Sequence, residues 1–186
     1  MKKLIVALIT SAAAMGAAHA EGPYVGVGVA SSDHNFKLGG ASGVDGDGWK
    51  ASGKIFGGYE FTPVWGVEAG YTDLRSANGN YTIGTTPGTI RTDGSRSYLA
   101  AKATMPVNEQ VSVYGKLGLG YSKLDASTSA PNVAWSDNKT EAYGGIGAQY
   151  NLNKQVALTM EYERYGKKKD IGAKADAITV GARYSF

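Results

Sequence analysis

The chain has no cysteine in 186 residues and only two histidines. The first absence excludes disulfides and thiolate metal sites. The second leaves little for proton-transfer chemistry, since His19 falls in the leader described below and His34 then stands alone. Long apolar runs are missing too. The only one, Leu4 to Ala18, is shorter than the roughly 20 residues a membrane helix needs. Neither sign of charge dominates. The formal charge is +3, and removing Lys2 and Lys3 with the leader leaves +1. That balance gives no reason to expect nucleic acid as a partner.

The leader reads as an export signal. Lys2 and Lys3 precede the apolar run, and Ala18-His19-Ala20 is an A-x-A cleavage site, so residues 1–20 are expected to be removed and residues 21–186 to form one domain. No cysteine follows that site to carry a lipid anchor.

In place of these features the chain holds 27 glycines, 12 tyrosines and a repeated alternation of apolar and polar residues. In the last segment Ile178, Val180, Ala182, Tyr184 and Phe186 share one side, and Thr179, Gly181, Arg183 and Ser185 the other. Side chains of a strand alternate with period two, so one face is apolar and one polar. The same reading places strands at Pro23–Ala30, Trp49–Phe61, Val64–Leu74, Arg96–Met105, Val111–Leu124, Thr140–Tyr150 and Gln155–Tyr165. Short turns at Thr62-Pro63, Pro106–Gln110 and Asn151–Lys154 alternate with long polar loops at Ser31–Gly48, Arg75–Ser95, Ala126–Lys139 and Gly166–Lys174. Strands of about 10 residues, with short turns at one end and long loops at the other, describe a transmembrane barrel. The expected fold is all-β: an eight-stranded antiparallel up-and-down transmembrane β-barrel. Its apolar face would meet lipid, so the low mean hydropathy of −0.23 is no objection.

Phe56-Gly57-Gly58-Tyr59-Glu60-Phe61-Thr62-Pro63-Val64-Trp65-Gly66-Val67-Glu68-Ala69-Gly70-Tyr71 resembles a hairpin of the OmpA-like transmembrane barrel family. Ala101-Lys102, Tyr114-Gly115-Lys116-Leu117-Gly118, Met160-Glu161-Tyr162 and Val180 to Phe186 follow in the family's order. The resemblance implies a bacterial outer-membrane barrel, here without the periplasmic peptidoglycan-binding domain of larger members. It also implies a lumen charge network, with Glu68 and Lys102 at two of its positions. Gln149 stands where the second glutamate would be and Thr159 where the arginine would be. Lys54, Lys116 and Glu161 face inward by alternation and join the candidate network, with Glu68 and Lys102 expected to pair across the lumen. Inward glycines such as Gly26, Gly118 and Gly147 are expected to leave water-filled gaps. The resemblance further implies that Tyr184 and Phe186 are the assembly signal read by the barrel insertion machinery.

Outward aromatics, among them Tyr59, Trp65, Tyr121 and Tyr162, read as interfacial girdles. Lys123, Arg164, Lys167, Lys168 and Lys169 are candidate contacts to lipopolysaccharide phosphates, as basic groups at a membrane surface attract anionic headgroups. Asp45-Gly46-Asp47-Gly48 lacks the later bidentate glutamate of a calcium loop and reads as a turn. No catalytic, metal or cofactor site is expected. The expected role is a non-enzymatic, monomeric envelope protein with loops for adhesion or host contact. A narrow low-conductance pore is the first alternative and a lipid A-modifying enzyme built on His34 the second.

Overall fold

A computed structural model describes residues 21–32, 34–36, 42–46, 50–83, 86–129, 132–166, 171–173 and 176–186. The leader, Lys167–Lys169 and part of the Asp/Gly turn lie outside them. The described strands are β1 (Gly22–Ser32), β2 (His34–Phe36), β3 (Ser42–Gly46), β4 (Lys50–Glu60), β5 (Trp65–Ile83) and β6 (Thr86–Pro106). They continue with β7 (Val111–Ser129), β8 (Asn132–Asn151), β9 (Val156–Tyr165), β10 (Ile171–Ala173) and β11 (Asp176–Ser185).

Eight of them close a ring in the order β1, β4, β5, β6, β7, β8, β9, β11 and back to β1. The closing seam runs antiparallel from Tyr24↔Ser185 to Ser31↔Ile178. Closure leaves no strand edge in lipid, where an unpaired backbone group costs several kcal/mol. Alternation then assigns the faces as the sequence predicts. Leu117 and Ile146 are 74% and 67% exposed on the lipid side, while Glu68 and Lys102 inside are 2% exposed.

The three turns at the periplasmic end share one design. Thr62 Oγ1 accepts the amides of Val64 and Trp65 at 3.3 and 2.9 Å. Asn108 Oδ1 accepts those of Gln110 and Val111 at 2.9 and 2.7 Å, and Asn153 Oδ1 those of Gln155 and Val156, both at 2.8 Å. A short polar side chain satisfying its own turn is the reason Asn and Thr recur here.

The opposite end departs from expectation. Arg75–Ser95 and Ala126–Lys139 are largely strand, because the β5–β6 and β7–β8 ladders continue to Ile83↔Thr86 and Ser129↔Asn132. β4 releases β5 after Asp73, and β9 reaches up β8 only to Tyr143. Above those points β5 to β8 rise as a wall roughly 30 Å long at about 3.3 Å per residue. Runs such as Thr92–Arg96 on β6 carry polar residues on both faces, although Thr92 and Arg96 are buried, so the apolar–polar alternation that marks a strand is absent there while the hydrogen-bond ladder persists. β3 pairs with the upper part of β5, and β2 with β10, so the other two loops also carry short strands.

The expected gaps at inward glycines are filled. Tyr24 lies opposite Gly58 and Phe56 opposite Gly26, while Tyr98 faces Gly70 and Tyr114 faces Gly147. In each pair a Cβ on the glycine would strike the ring across from it. The rings lie flat over the glycines of the neighbouring strand, and the narrow lumen is packed with them.

Two substitutions locate the bilayer. Leu117→Arg should cost about 2–4 kcal/mol in a reversible lipid-refolding assay, and Ser127→Arg, on the same face of the wall, less than about 1 kcal/mol. Equal costs would place the wall in lipid. In the same assay Gly26→Ala should cost about 1–3 kcal/mol through overpacking against Phe56. Gly53→Ala, with open space around it, should be close to neutral.

Candidate functional site

The pleat aims charged side chains into the lumen, and closure sorts eight of them into two ion-paired clusters. At the periplasmic end Arg183 grips both oxygens of Glu60, with Nη1 donating to Oε1 at 2.7 Å and Nη2 to Oε2. This fork-on-fork geometry is the strong form of an ion pair. Lys102 adds a 3.2 Å bond to the same carboxylate, and Gln149 accepts from Arg183 at 3.2 Å while donating to Asn151 at 2.7 Å. The Arg183 guanidinium stacks 3.9 Å over the Tyr24 ring, and Lys102 sits 4.9 and 4.8 Å over the rings of Tyr24 and Tyr114.

Beyond those rings lies the second cluster. Lys116 bridges Glu68 at 2.5 Å and Glu161 at 2.7 Å. Glu68 also accepts the hydroxyls of Tyr24, at 2.8 Å, and Tyr98. Lys54 lies 3.5 Å from Glu161 and 2.7 Å from Glu163. Glu163, 1% exposed, accepts further from Tyr143 at 2.7 Å, Tyr165 at 3.2 Å and Thr179 at 2.5 Å. Tyr98 and Tyr143 stack at 4.3 Å, Tyr165 packs 4.9 Å from Tyr143, and Arg96 covers Tyr165 at 4.9 Å. Within these two sets of ion pairs four glutamates face three lysines and one arginine. Buried charges are tolerated only when paired and hydrogen-bonded, and here they are.

Lys54, Glu68, Lys116 and Glu161 meet as one network, whereas Lys102 and Gln149 belong to the other cluster. The expected Glu68–Lys102 pair is replaced by Glu68–Lys116 and Glu60–Lys102. Lys102 and Lys116 are cross-strand neighbours that both point inward, Lys102 over the Tyr24 and Tyr114 rings to Glu60 and Lys116 to Glu68. With threonine at 159, the guanidinium comes from Arg183 on the adjacent strand β11. Glu60, Glu163 and Arg183 were missed as partners, although alternation already placed them on inward faces. Alternation likewise put Tyr114 and Tyr143 on inward faces, but it named no partner for their hydroxyls.

On the outer surface Lys123 lies 3.1 Å from Asp125 and Arg164 3.5 Å from Asp176. His34 pairs through its backbone with Ala173. Tyr184 and Phe186 meet edge-on at 5.2 Å beside the seam, where the Phe186 amide donates to Pro23 O at 3.2 Å.

A family model described as "Outer membrane protein beta-barrel domain" matches residues 4–186. The attachment invasion locus protein of Yersinia pseudotuberculosis is 32% identical over 135 residues, which cover 69% of this chain and 67% of that protein. Outer membrane protein A of Salmonella typhi is 27% identical over 139 residues, 70% of this chain. The chain spans only 39% of that relative's length. Among solved structures, Ail of Yersinia pestis in complex with the heparin analogue sucrose octasulfate superposes with a TM-score of 0.56 at 25% identity, covering 88% of this chain and 97% of that one. OprG of Pseudomonas aeruginosa shares the fold, with a TM-score of 0.56 at 17% identity over 88% of this chain and 95% of its own.

Lys116→Met should destabilise the barrel by about 3–5 kcal/mol, since it strips two buried carboxylates of their shared cation. Purified protein in planar bilayers should show only small, intermittent conductance. Glu68→Ala, which releases Lys116, Tyr24 and Tyr98 together, should raise its open probability. An unchanged open probability would make the network purely structural.

Proposed function

Because the chain belongs to the outer membrane protein beta-barrel family and resides in a bacterial outer membrane, we propose that it is a non-enzymatic attachment protein working through its outer end. The observation that carries this reading is the wall. β5 to β8 contain 19, 21, 19 and 20 residues, against 11, 11, 10 and 10 in β1, β4, β9 and β11. A pore needs no such extension, since its path ends at the barrel mouth. An ordered sheet standing clear of the bilayer offers a rigid surface to a partner, and rigid surfaces bind with less ordering cost. The likeness to the attachment invasion locus protein supports the same reading.

The ligand class proposed is a sulfated saccharide, in keeping with the heparin analogue held by the Yersinia pestis relative. Lys167, Lys168 and Lys169 supply the cationic run for it. Residues 1–20 are proposed to be removed on export, so that the mature protein begins at Glu21. Tyr184 and Phe186 are proposed to direct insertion.

Expressed in a non-adherent strain, the chain should raise attachment to cultured epithelial cells several-fold, and soluble heparin should compete. Replacing residues 76–92 and 126–139 with short turns should return attachment to background while the barrel still folds. Attachment that survives the loss of both hairpins would refute the role given to the wall. Separately, Phe186→Ala should lower the amount of barrel in the outer membrane more than it lowers the stability of the refolded protein. Equal membrane levels would remove the assembly role.

A further inference from the structure

The lipid-facing side of the barrel changes chemistry abruptly at one row of residues. Tyr71, Ser97, Tyr121 and Thr140 lie side by side across β5, β6, β7 and β8. Tyr71 and Tyr121 are 43% and 44% exposed, as interfacial rings are. Below this row the same face carries Leu99, Leu117, Leu119 and Ile146. Above it, two residues further up each strand, the row is Asp73, Ser95, Lys123 and Asn138. The next holds Asp93, Asp125 and Ser136, and the one after it Arg91 and Ser127. On β8 the last of these rows is completed by the small Ala134, and the rows from Lys123 to Ser127 extend about 13 Å along β7 at 3.3 Å per residue.

The charges on this strip cancel locally. Arg91 Nε lies 3.2 Å from Asp93, and Lys123 Nζ 3.1 Å from Asp125. The Ser136 hydroxyl and the Lys123 ammonium hold the Asp125 carboxyl below its usual range, so it stays ionised. Against these two cations stand three carboxylates, Asp73, Asp93 and Asp125. A strip with no surplus of positive charge has no long-range pull on phosphate. That is a different reading of Lys123 from the phosphate contact suggested by its charge alone.

What the strip does offer is a flat lattice of carboxylate, amide and hydroxyl groups with two half-exposed tyrosine rings at its foot. Carboxylates accept and amides both donate and accept, which matches the adjacent hydroxyls of a neutral sugar. An aromatic ring supplies an apolar face with a polar tip at an interface. The strip is continuous with the lipid-contacting face below it. The molecules that meet this height are therefore the headgroups of the surrounding outer-leaflet lipids.

We infer that the outward face of the wall, from Tyr71 and Tyr121 up to Asp125 and Ser136, binds the uncharged sugars of the oligosaccharide core of outer-leaflet glycolipid. The contact would couple the wall to the saccharide layer around it and hold it upright. This inference is independent of the attachment role, which concerns partners beyond the cell.

The test uses the full mature chain refolded in phosphatidylcholine nanodiscs. The probe is core oligosaccharide freed of lipid A and enzymatically dephosphorylated, followed by amide chemical shifts. Saturable shifts confined to β5, β6, β7 and β8 from the Tyr71 and Tyr121 row upwards are expected. Asp125→Ala combined with Asn138→Ala should weaken binding about fivefold or more, the loss expected for a hydrogen bond or two. Lys154→Gln, in the turn between β8 and β9 at the opposite end of the barrel, should leave binding unchanged. Because all these positions are exposed, loss of fold is not expected. Asn138→Leu alone, which keeps every charge, serves as a second variant and should also weaken binding. Absence of saturable shifts overturns the inference, as does binding seen only with the phosphorylated core. Equal affinity of wild type and both strip variants overturns it too.

Discussion

A backbone amide or carbonyl inside a bilayer has no water to turn to, and the rest of this structure depends on that constraint. A sheet satisfies every such group only by closing, and here β1 meets β11 along an eight-residue register. Closure at eight strands leaves a lumen just wide enough for side chains. Whatever points inward must fill that space without leaving a polar group alone. The rings of Tyr24, Phe56, Tyr98 and Tyr114 lie over glycines on neighbouring strands, and the carboxylates find lysines or Arg183 within hydrogen-bonding reach.

The lumen is therefore neither a pore with a single latch nor an apolar core. Two charged clusters are stacked in series, separated by the Tyr24 and Tyr114 rings, with a tyrosine group beyond the second. Hydroxyls complete the coordination of the glutamates, so Glu68 and Glu163 each serve several donors. A network satisfied in this way is stiff, because moving one member strands the others. That stiffness suits a barrel that carries load or presents a surface better than one that conducts steadily.

The wall follows from a different balance. Outside the bilayer no rule requires closure, so the strands of β5 to β8 continue while their neighbours stop. The hydrogen bonds of a hairpin are as available in water as in lipid, and once the membrane-spanning part fixes the strand directions, extending the ladder needs no new nucleation. The result is a sheet whose outward face meets lipid below and turns polar above the row of Tyr71 and Tyr121.

Strand faces and turn positions were legible in the amino-acid sequence, because a strand's period of two and a turn's need for Asn or Thr are local properties of the backbone. Leu117 out, Lys116 in and Asn108 in a turn require no knowledge of any other strand. The upper halves of β6 and β7 were not legible as strand, since runs such as Thr92–Arg96 hold no apolar side chain at any position, buried or not, and leave no alternation to read. The pairing inside the lumen was also decided only by the folded barrel. Arg183 meets Glu60 across 123 positions of sequence, and Glu68 takes Lys116 in preference to Lys102. Alternation says that these side chains point inward, but it is silent on height and azimuth. Those depend on the stagger with which eight strands close on one another, a property of the whole ring and of no segment within it.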